Sequence, residues 1–267
     1  MTIRVVVCGF GGRMGSHVVR ALATQDDLQL VAGVDSPAAA GTVELDGQAQ
    51  APAFADLAEA IDRTHPDVLV DFTTPLAVEK NIRVALPLGV DCVIGTTGLT
   101  PERYEELAQL ACAGTTLFHA PNFTIGAVLM MSFARRAAPF FEDVEILEFH
   151  HNRKADAPSG TAINTALGMA ASRREAGVIS TAPGAETELA GREGARGASV
   201  EGIPVHSVRS NGFYAHQEVI LASAGQALTI RHDSVDPSAY LPGILLAIRA
   251  VRERSGLIIG LEELMNL

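Results

Sequence analysis

The stretch "IRVVVCGFGGRMGSHVVRALATQDDLQLVAGVD", residues 3–35, decides the fold. It opens on an apolar run rich in β-branched residues, Ile3 to Phe10, which reads as a buried strand. Met14 to Thr24 has helical spacing, and Leu28 to Asp35 reads as a second strand. Strand, helix and strand in that order make one βαβ unit. The turn between the first strand and the helix carries Gly9, Gly12 and Gly15, where missing β-carbons permit a tight turn and let a pyrophosphate approach the helix N-terminus. Asp35 follows Gly15 by 20 residues and ends the second strand, the place for a carboxylate that accepts hydrogen bonds from an adenosine ribose. The glycine spacing alone is weak, since any tight βα turn can show it. The ordered set of strand, glycines, helix, strand and acidic end points to a dinucleotide site.

Working outward, "DVLVDFT" (67–73), "DCVIGTT" (91–97) and "TTLFHAPN" (115–122) read as further buried strands. Between them, Leu76 to Leu88 and Pro101 to Ala113 have helical spacing, the latter with Thr100 as N-cap and Pro101 at the first helical position. This alternation predicts an α/β domain with a Rossmann-type, doubly wound parallel sheet over residues 1–122. "GTTG" (95–98) and "APNFT" (120–124) fall at the C-terminal ends of predicted strands, where open α/β sheets hold their ligands. Either one alone reads as a plain turn.

After residue 122 the texture changes. A helix over 125–138 leads into the strand "VEILEFHH", a loop, and a helix from Thr161 to about Ala176. Val178 to Gly202, rich in Gly, Ala, Thr and Glu, reads as an exposed connection. "PVHSVRS", "HQEVILAS" and "QALTIRHDS" then read as strands of a mixed or antiparallel sheet. Residues 123–231 are thus expected to form a second, α+β domain on a mixed sheet. The segment 232–267, with a helix over Pro237–Ser255, is expected to pack back on the first.

With 267 residues, 48% of them apolar, the chain is long enough to bury a sizeable core. A formal net charge of -11 and no long basic run argue against nucleic acid or a membrane surface as partner. No signal-peptide pattern is read at the N-terminus, and the longest apolar stretches are too short to span a bilayer, so a soluble protein is expected. Cys8, Cys92 and Cys112 share no CxxC spacing and have apolar neighbours. They read as reduced core residues of a cytoplasmic protein, with neither a disulfide framework nor a metal site.

Against that acidic background, "HHNRKADAPSGTA" (150–162) gathers His150, His151, Arg153 and Lys154 beside a helix start. "SGT" there can present unpaired backbone N–H groups, a cradle for carboxylate or phosphate. Lys154 adds a point charge, and the histidines add donors that titrate near neutrality. A solvated loop with Thr161 as a plain N-cap is the bland alternative; four potential cations in an acidic chain favour a small di-anion.

"GFGGRMG", "DFTTP", "GTTG", "APNFTIGAVL", "EFHHNRKADAPSGTA" and "HQEVILASAGQALTIRHDS" occur in the order seen in the 4-hydroxy-tetrahydrodipicolinate (dihydrodipicolinate) reductase family of diaminopimelate and lysine biosynthesis, which the chain resembles over nearly its whole length. The most specific element is HHxxKxDAPSGTA. The resemblance implies NADH or NADPH as cofactor, held by Gly9, Phe10, Gly11, Gly12, Arg13, Met14 and Asp35. It adds Gly95, Thr96 and Thr97, and then Ala120, Pro121, Asn122 and Phe123. It further implies His150 and Lys154 as the catalytic pair, with His151, Lys154, Ser159, Gly160 and Thr161 on the substrate carboxylates. A small cyclic dicarboxylate substrate and a homotetramer built through the second domain follow from it too. Ser36 follows Asp35 where some members have an arginine suited to a 2′-phosphate, so NADH is expected to serve at least as well as NADPH. Two rival readings are another reductase of an amino-acid-pathway imine or semialdehyde, which would lack the HHxxK and SGT combination, and a non-catalytic NAD(P)-binding regulator, which needs no substrate cations.

Overall fold

The structure is a computed structural model that describes residues 2–36, 41–178 and 194–267. It divides into two compact units, Met1–Ile125 with Pro237–Leu267, and Gly126–Asp236.

The first unit is built on an eight-stranded sheet in the order β13-β7-β6-β5-β1-β2-β4-β3. β1 (Ile3–Cys8) lies in its middle, parallel to β2 (Leu28–Val34) and β5 (Val68–Asp71). β6 (Asp91–Ile94) and β7 (Thr116–His119) continue the parallel array. Val5, Val6 and Val7, like Val68, Leu69 and Val70, are fully buried. That is why these strands read as continuous apolar runs: with both faces covered there is no polar side to alternate with. Helices α1 (Arg13–Leu22), α3 (Pro75–Ala85) and α4 (Pro101–Ala108) connect the strands. Thr74 and Thr100 cap α3 and α4, accepting from the Ala77 and Arg103 amides, and each helix has proline at its start.

The sequence reading left out several elements of this unit. β3 (Gly41–Leu45) and β4 (Gln48–Phe54) form an antiparallel hairpin at one sheet edge. Asp46 and Gly47 turn it, both with positive φ, 51° and 76°. α2 (Leu57–Thr64) follows, and at the other edge β13 (Gly256–Ile259) pairs in parallel with β7. α4 is also shorter than expected: it ends at Ala108, and Cys112 lies exposed in the following turn. That corrects the core position expected for this thiol. Cys8 and Cys92 are buried, and burial pushes both thiols well up, so they stay neutral.

Pro237–Leu267 belongs to this first unit, through α7 (Leu241–Ala250), β13 and α8 (Leu261–Met265). A 3-10 turn precedes α7 and another follows it, so the single helix expected over 237–255 is broken at both ends. Arg249 grips Asp27 through two hydrogen bonds of 2.7 Å, and Arg252 reaches Asp91 at 2.7 Å.

The second unit carries a five-stranded mixed sheet, β12-β11-β8-β10-β9. β8 (Asp143–His150) runs parallel to β10 (Ile203–Arg209) and antiparallel to β11 (Ala215–Ser223), which pairs with β12 (Gln226–Ser234). β9 (Ala198–Val200) adds a short edge. α6 (Gly160–Glu175) packs one face of this sheet through Ala162, Ala166, Met169 and Ala170 against Ile146, Val205 and Val219. Small alanines on the helix let it lie close to the branched strand residues. The predicted connection over 178–202 lies mostly outside the described residues. Among the described residues no helix is long and apolar enough to cross a membrane.

Candidate active site

In the first unit the turn after β1 is built for close approach. Gly9 has φ +79°, and a β-carbon there would lie 2.5 Å from the Phe72 carbonyl oxygen; one on Gly15 would lie 2.0 Å from the Gly9 carbonyl oxygen. Only glycine permits this packing of helix against turn. The N-cap of α1 is Gly12, which offers no side chain to the first amides of the helix. Those amides form an anion cradle reinforced by the helix dipole. Asp35 ends β2 beside the turn, accepting from the Gly11 amide at 2.9 Å and the Ser36 amide at 2.7 Å. A cleft of about 730 Å³ is lined by Gly9, Gly11, Gly12, Asp35, Thr73 and Lys80, among others. A glycine cradle, a bare helix start and a carboxylate at the next strand end together fit a dinucleotide. Arg13 is exposed and Met14 half-buried at the start of α1, while Phe10 packs against Val19, Val43 and Ala53.

The loops after β5 and β6 are tied together by a residue the sequence reading passed over. Asp71 is fully buried at the end of β5. Its Oδ1 accepts from the Thr73 amide at 3.0 Å, from the Thr73 hydroxyl at 2.7 Å and from the Thr96 hydroxyl at 2.7 Å. Its Oδ2 accepts from the Asn81 side chain at 2.7 Å. Four donors replace the water that the carboxylate gives up and fix the Gly95–Thr97 loop against the Phe72–Thr74 loop. Thr96, Ala120 and Phe123 are buried, whereas Thr97 and Pro121 are exposed. Phe123 lies between Phe72 and Phe118, with ring centroids 5.9 Å from each. Asn122 closes the loop by accepting from the Thr124 amide at 2.8 Å.

In the second unit, side chains alternate along β8, so Val144, Ile146, Glu148 and His150 share one face. Glu148 is a fully buried carboxylate. It accepts from His150 Nδ1, from the two terminal nitrogens of Arg209 at 2.7 and 2.9 Å, and from the Ser159 amide at 3.3 Å. Burial alone pushes this carboxyl up, but the hydrogen bonds from His150 and Arg209 outweigh it and hold the group at about 2.

After β8 the chain turns, with the Lys154 amide donating to the His151 carbonyl at 3.1 Å. The Lys154 ammonium sits 2.8 Å from Asp156 Oδ1, and that contact holds the Asp156 carboxyl below its usual range. Ser159 is the N-cap of α6, its hydroxyl accepting from the Ala162 amide at 3.2 Å. Cap and helix start therefore fall earlier than the expected Thr161, and the Ser159 side chain is engaged in the cap. In front of Gly160 the space is open: an added β-carbon would meet nothing within 4 Å. His151 Nδ1 is buried and has no hydrogen-bond partner among the described residues. An open helix start, an ammonium and an orphaned ring nitrogen on one short segment suit a small carboxylate ligand.

Glu148 and Arg209 were also missing from the sequence reading. Alternation offered a signal for Glu148, two residues before His150 on the same strand face; Arg209 is 61 residues from Glu148 and enters only through the parallel pairing of β8 with β10.

A dinucleotide cradle on a Rossmann-type sheet, with a histidine anchored on a buried carboxylate and a lysine beside an open helix start in the second unit, defines an NAD(P)H-dependent oxidoreductase. Residues 3–123 match the family description "Dihydrodipicolinate reductase, N-terminus", and residues 126–265 match "Dihydrodipicolinate reductase, C-terminus". The 4-hydroxy-tetrahydrodipicolinate reductase of Listeria welshimeri serovar 6b is 46% identical over 268 residues, spanning 99% of this chain and 100% of its own. That of Mycolicibacterium vanbaalenii is 42% identical over 267 residues, with the same coverage. Among solved structures, dipicolinate-bound dihydrodipicolinate reductase from Paenisporosarcina sp. TG-14 superposes with a TM-score of 0.88 at 40% identity, covering 98% of this chain and 99% of that one. An amine dehydrogenase from Mycobacterium smegmatis, 19% identical with a TM-score of 0.67, shares the fold. The chain belongs to the dihydrodipicolinate reductase family.

Proposed function

We propose that the chain reduces the cyclic dicarboxylate 4-hydroxy-tetrahydrodipicolinate, or the dihydrodipicolinate formed from it by loss of water, to tetrahydrodipicolinate in diaminopimelate and lysine biosynthesis. The observation that carries this reading is the loop from His150 to Thr161, where a histidine anchored on a buried carboxylate, a lysine and an open helix start occur together. The nicotinamide, when bound, supplies the hydride. Everything else falls to this chain. Gly9 to Met14 cradle the pyrophosphate at the start of α1, Asp35 accepts from the adenosine ribose, and the Gly95–Thr97 and Ala120–Phe123 loops position the nicotinamide end.

His151, Gly160 and Thr161 hold the substrate carboxylates, and Ser159 contributes by capping α6. Lys154 exchanges Asp156 for a substrate carboxylate. An electron pair arriving on the conjugated ring leaves negative charge there, and His150 quenches it by donating a proton. A cation is needed at that point, and a carboxylate base would oppose the step.

Mixing the protein with NADH and freshly generated cyclic substrate, and following the nicotinamide absorbance, tests the reading. Stoichiometric NADH loss is expected. Consumption only with a linear semialdehyde, or none at all, would favour one of the rival functions.

Asp35 also sets an expectation for the cofactor. Its carboxylate favours a ribose hydroxyl and repels a 2′-phosphate, while Arg13 and the cleft residue Lys80 supply cations that soften the repulsion. NADH is expected to serve at least as well as NADPH, and Asp35→Ala to move the preference toward NADPH. A strong NADPH preference in steady-state kinetics, unchanged by Asp35→Ala, would remove Asp35 from this role.

We further propose a cytoplasmic homotetramer assembled through the sheet of the second unit. β12 is a nine-residue strand on the sheet edge with Leu228 exposed, a long edge of the kind that proteins cover. Light scattering should give a tetramer at micromolar concentration, and a stable monomer would overturn the assembly.

A further inference from the structure

Glu148 stands in an apolar row. Val144 and Ile146 precede it on the same face of β8, and both belong to the core under α6. A carboxylate there is expensive unless every lone pair is used. The donors that use them come from separate elements: His150 on its own strand, Arg209 on β10, and the Ser159 amide at the start of α6. Arg209 lies beside His150 in the parallel register, also gives a hydrogen bond of 2.7 Å to the Asp156 carbonyl, and thus ties the carboxylate to the loop that carries Lys154.

The consequence for His150 is chemical. With Nδ1 donating to Glu148, the ring has one nitrogen left for exchange with a ligand, Nε2. The ring is also held against rotation about χ2, since turning it would break the Nδ1 bond and leave the buried carboxylate with one donor fewer.

We infer that Glu148 is the positioning residue of the proton donor: it fixes Nδ1 of His150 so that Nε2 carries the transferable proton, and Arg209, by sharing the same carboxylate, limits how tightly that proton is held. The inference rests on the reading of His150 as proton donor. Other groups on this side of the sheet and in the adjoining loop are Ser207 on β10, Gln217 on β11 opposite Glu148, His232 on β12 opposite Gln217, and His151, Lys154 and Asp156. Of these, Ser207 shares Glu148 with His150 and Arg209.

The arrangement makes two substitutions act in opposite directions. Removing the carboxylate charge withdraws support from the imidazolium, so His150 gives up its proton at lower pH; removing the guanidinium leaves the carboxylate to His150 alone, which then keeps its proton to higher pH. In the pH profile of kcat/KM, the limb where activity falls as pH rises should move down by about one unit in Glu148→Gln and up by a similar amount in Arg209→Met. Glu148→Gln should also lower kcat about tenfold or more with little change in KM, and that loss should vanish in the His150→Gln background.

If Glu148 served only to hold the helix start, its substitution would raise KM, add in full to the loss in His150→Gln, and leave the pH limb in place. That set of results would overturn the inference, as would shifts in the same direction for both variants. Should Glu148→Gln fail to fold, the upward shift in Arg209→Met decides alone, and its absence counts against the inference. Failure of the underlying reading looks different: His150→Gln itself would then turn over normally.

Discussion

Replacing His150 by glutamine is expected to lower kcat about 10²-fold or more, with a smaller change in KM and unchanged affinity for NADH. Glutamine keeps approximate size and a hydrogen-bond donor near Glu148, so β8 and the start of α6 should retain their packing. What it lacks is an acidic ring N–H to give to the substrate. The loss should therefore appear when charge develops on the substrate ring, which places it in kcat. Calorimetry with NADH is the control, because Gly9, Gly12 and Asp35 lie in the unit formed by Met1–Ile125 and Pro237–Leu267. Near-normal turnover would remove His150 as proton donor, and loss of NADH binding would contradict the assignment of the two ligands to separate units.

Lys154→Ala is expected to act on both parameters. On the proposed function the ammonium, a compact cation, meets the substrate carboxylate in the ground state and in the transition state, so its removal should raise KM and lower kcat together. Truncating one member of a charge pair typically costs about 2–5 kcal/mol, and kcat/KM should accordingly fall by about 30- to 4000-fold. Asp156, which holds Lys154 at 2.8 Å, should then rise toward an ordinary carboxyl, since that contact is the first cause of its lowered pKa. A variant with unchanged KM for the cyclic substrate would show that the lysine does not touch it. Binding of dipicolinate, measured directly, separates the affinity part from the rate part.

These expectations differ in how far sequence alone could supply them. The middle of the Rossmann-type sheet was legible because two independent signals coincide there: unbroken apolar runs for strands buried on both faces, and glycines at the turn where Gly9 needs its positive φ. The edges were not. β3 (GTVEL) and β4 (QAQAPAF) alternate polar with apolar residues, but in β4 the apolar ones are mostly small alanines and a proline interrupts the strand, so the period-two signal is faint. The Asp46-Gly47 pair was the signal that remained, a two-residue hairpin turn with both residues at positive φ. α2 had its own mark in Asp56 and Glu59, where the Asp56 side chain accepts from the Glu59 amide.

In the site, His150 and Lys154 stood out because four potential cations fall within five positions of an acidic chain. Sequence shows charges and hides their partners. The pairing of Lys154 with Asp156, the hold of Arg209 on Glu148, and the four donors around Asp71 all depend on chain segments brought together by register or by a turn. Ser159 illustrates the same limit: its place in SGT suggested a ligand contact, and its hydroxyl is the helix cap.

On the proposed function a hydride passes from the nicotinamide to the ring of a cyclic dicarboxylate held at the start of α6. Reduction with NADH deuterated at the transferable C4 position, followed by mass spectrometry of the product, tests it directly. The account predicts one deuterium in the tetrahydrodipicolinate ring for each NADH oxidised, lost together with turnover in His150→Gln. Oxidation of the labelled NADH with no deuterium in the product ring would contradict it.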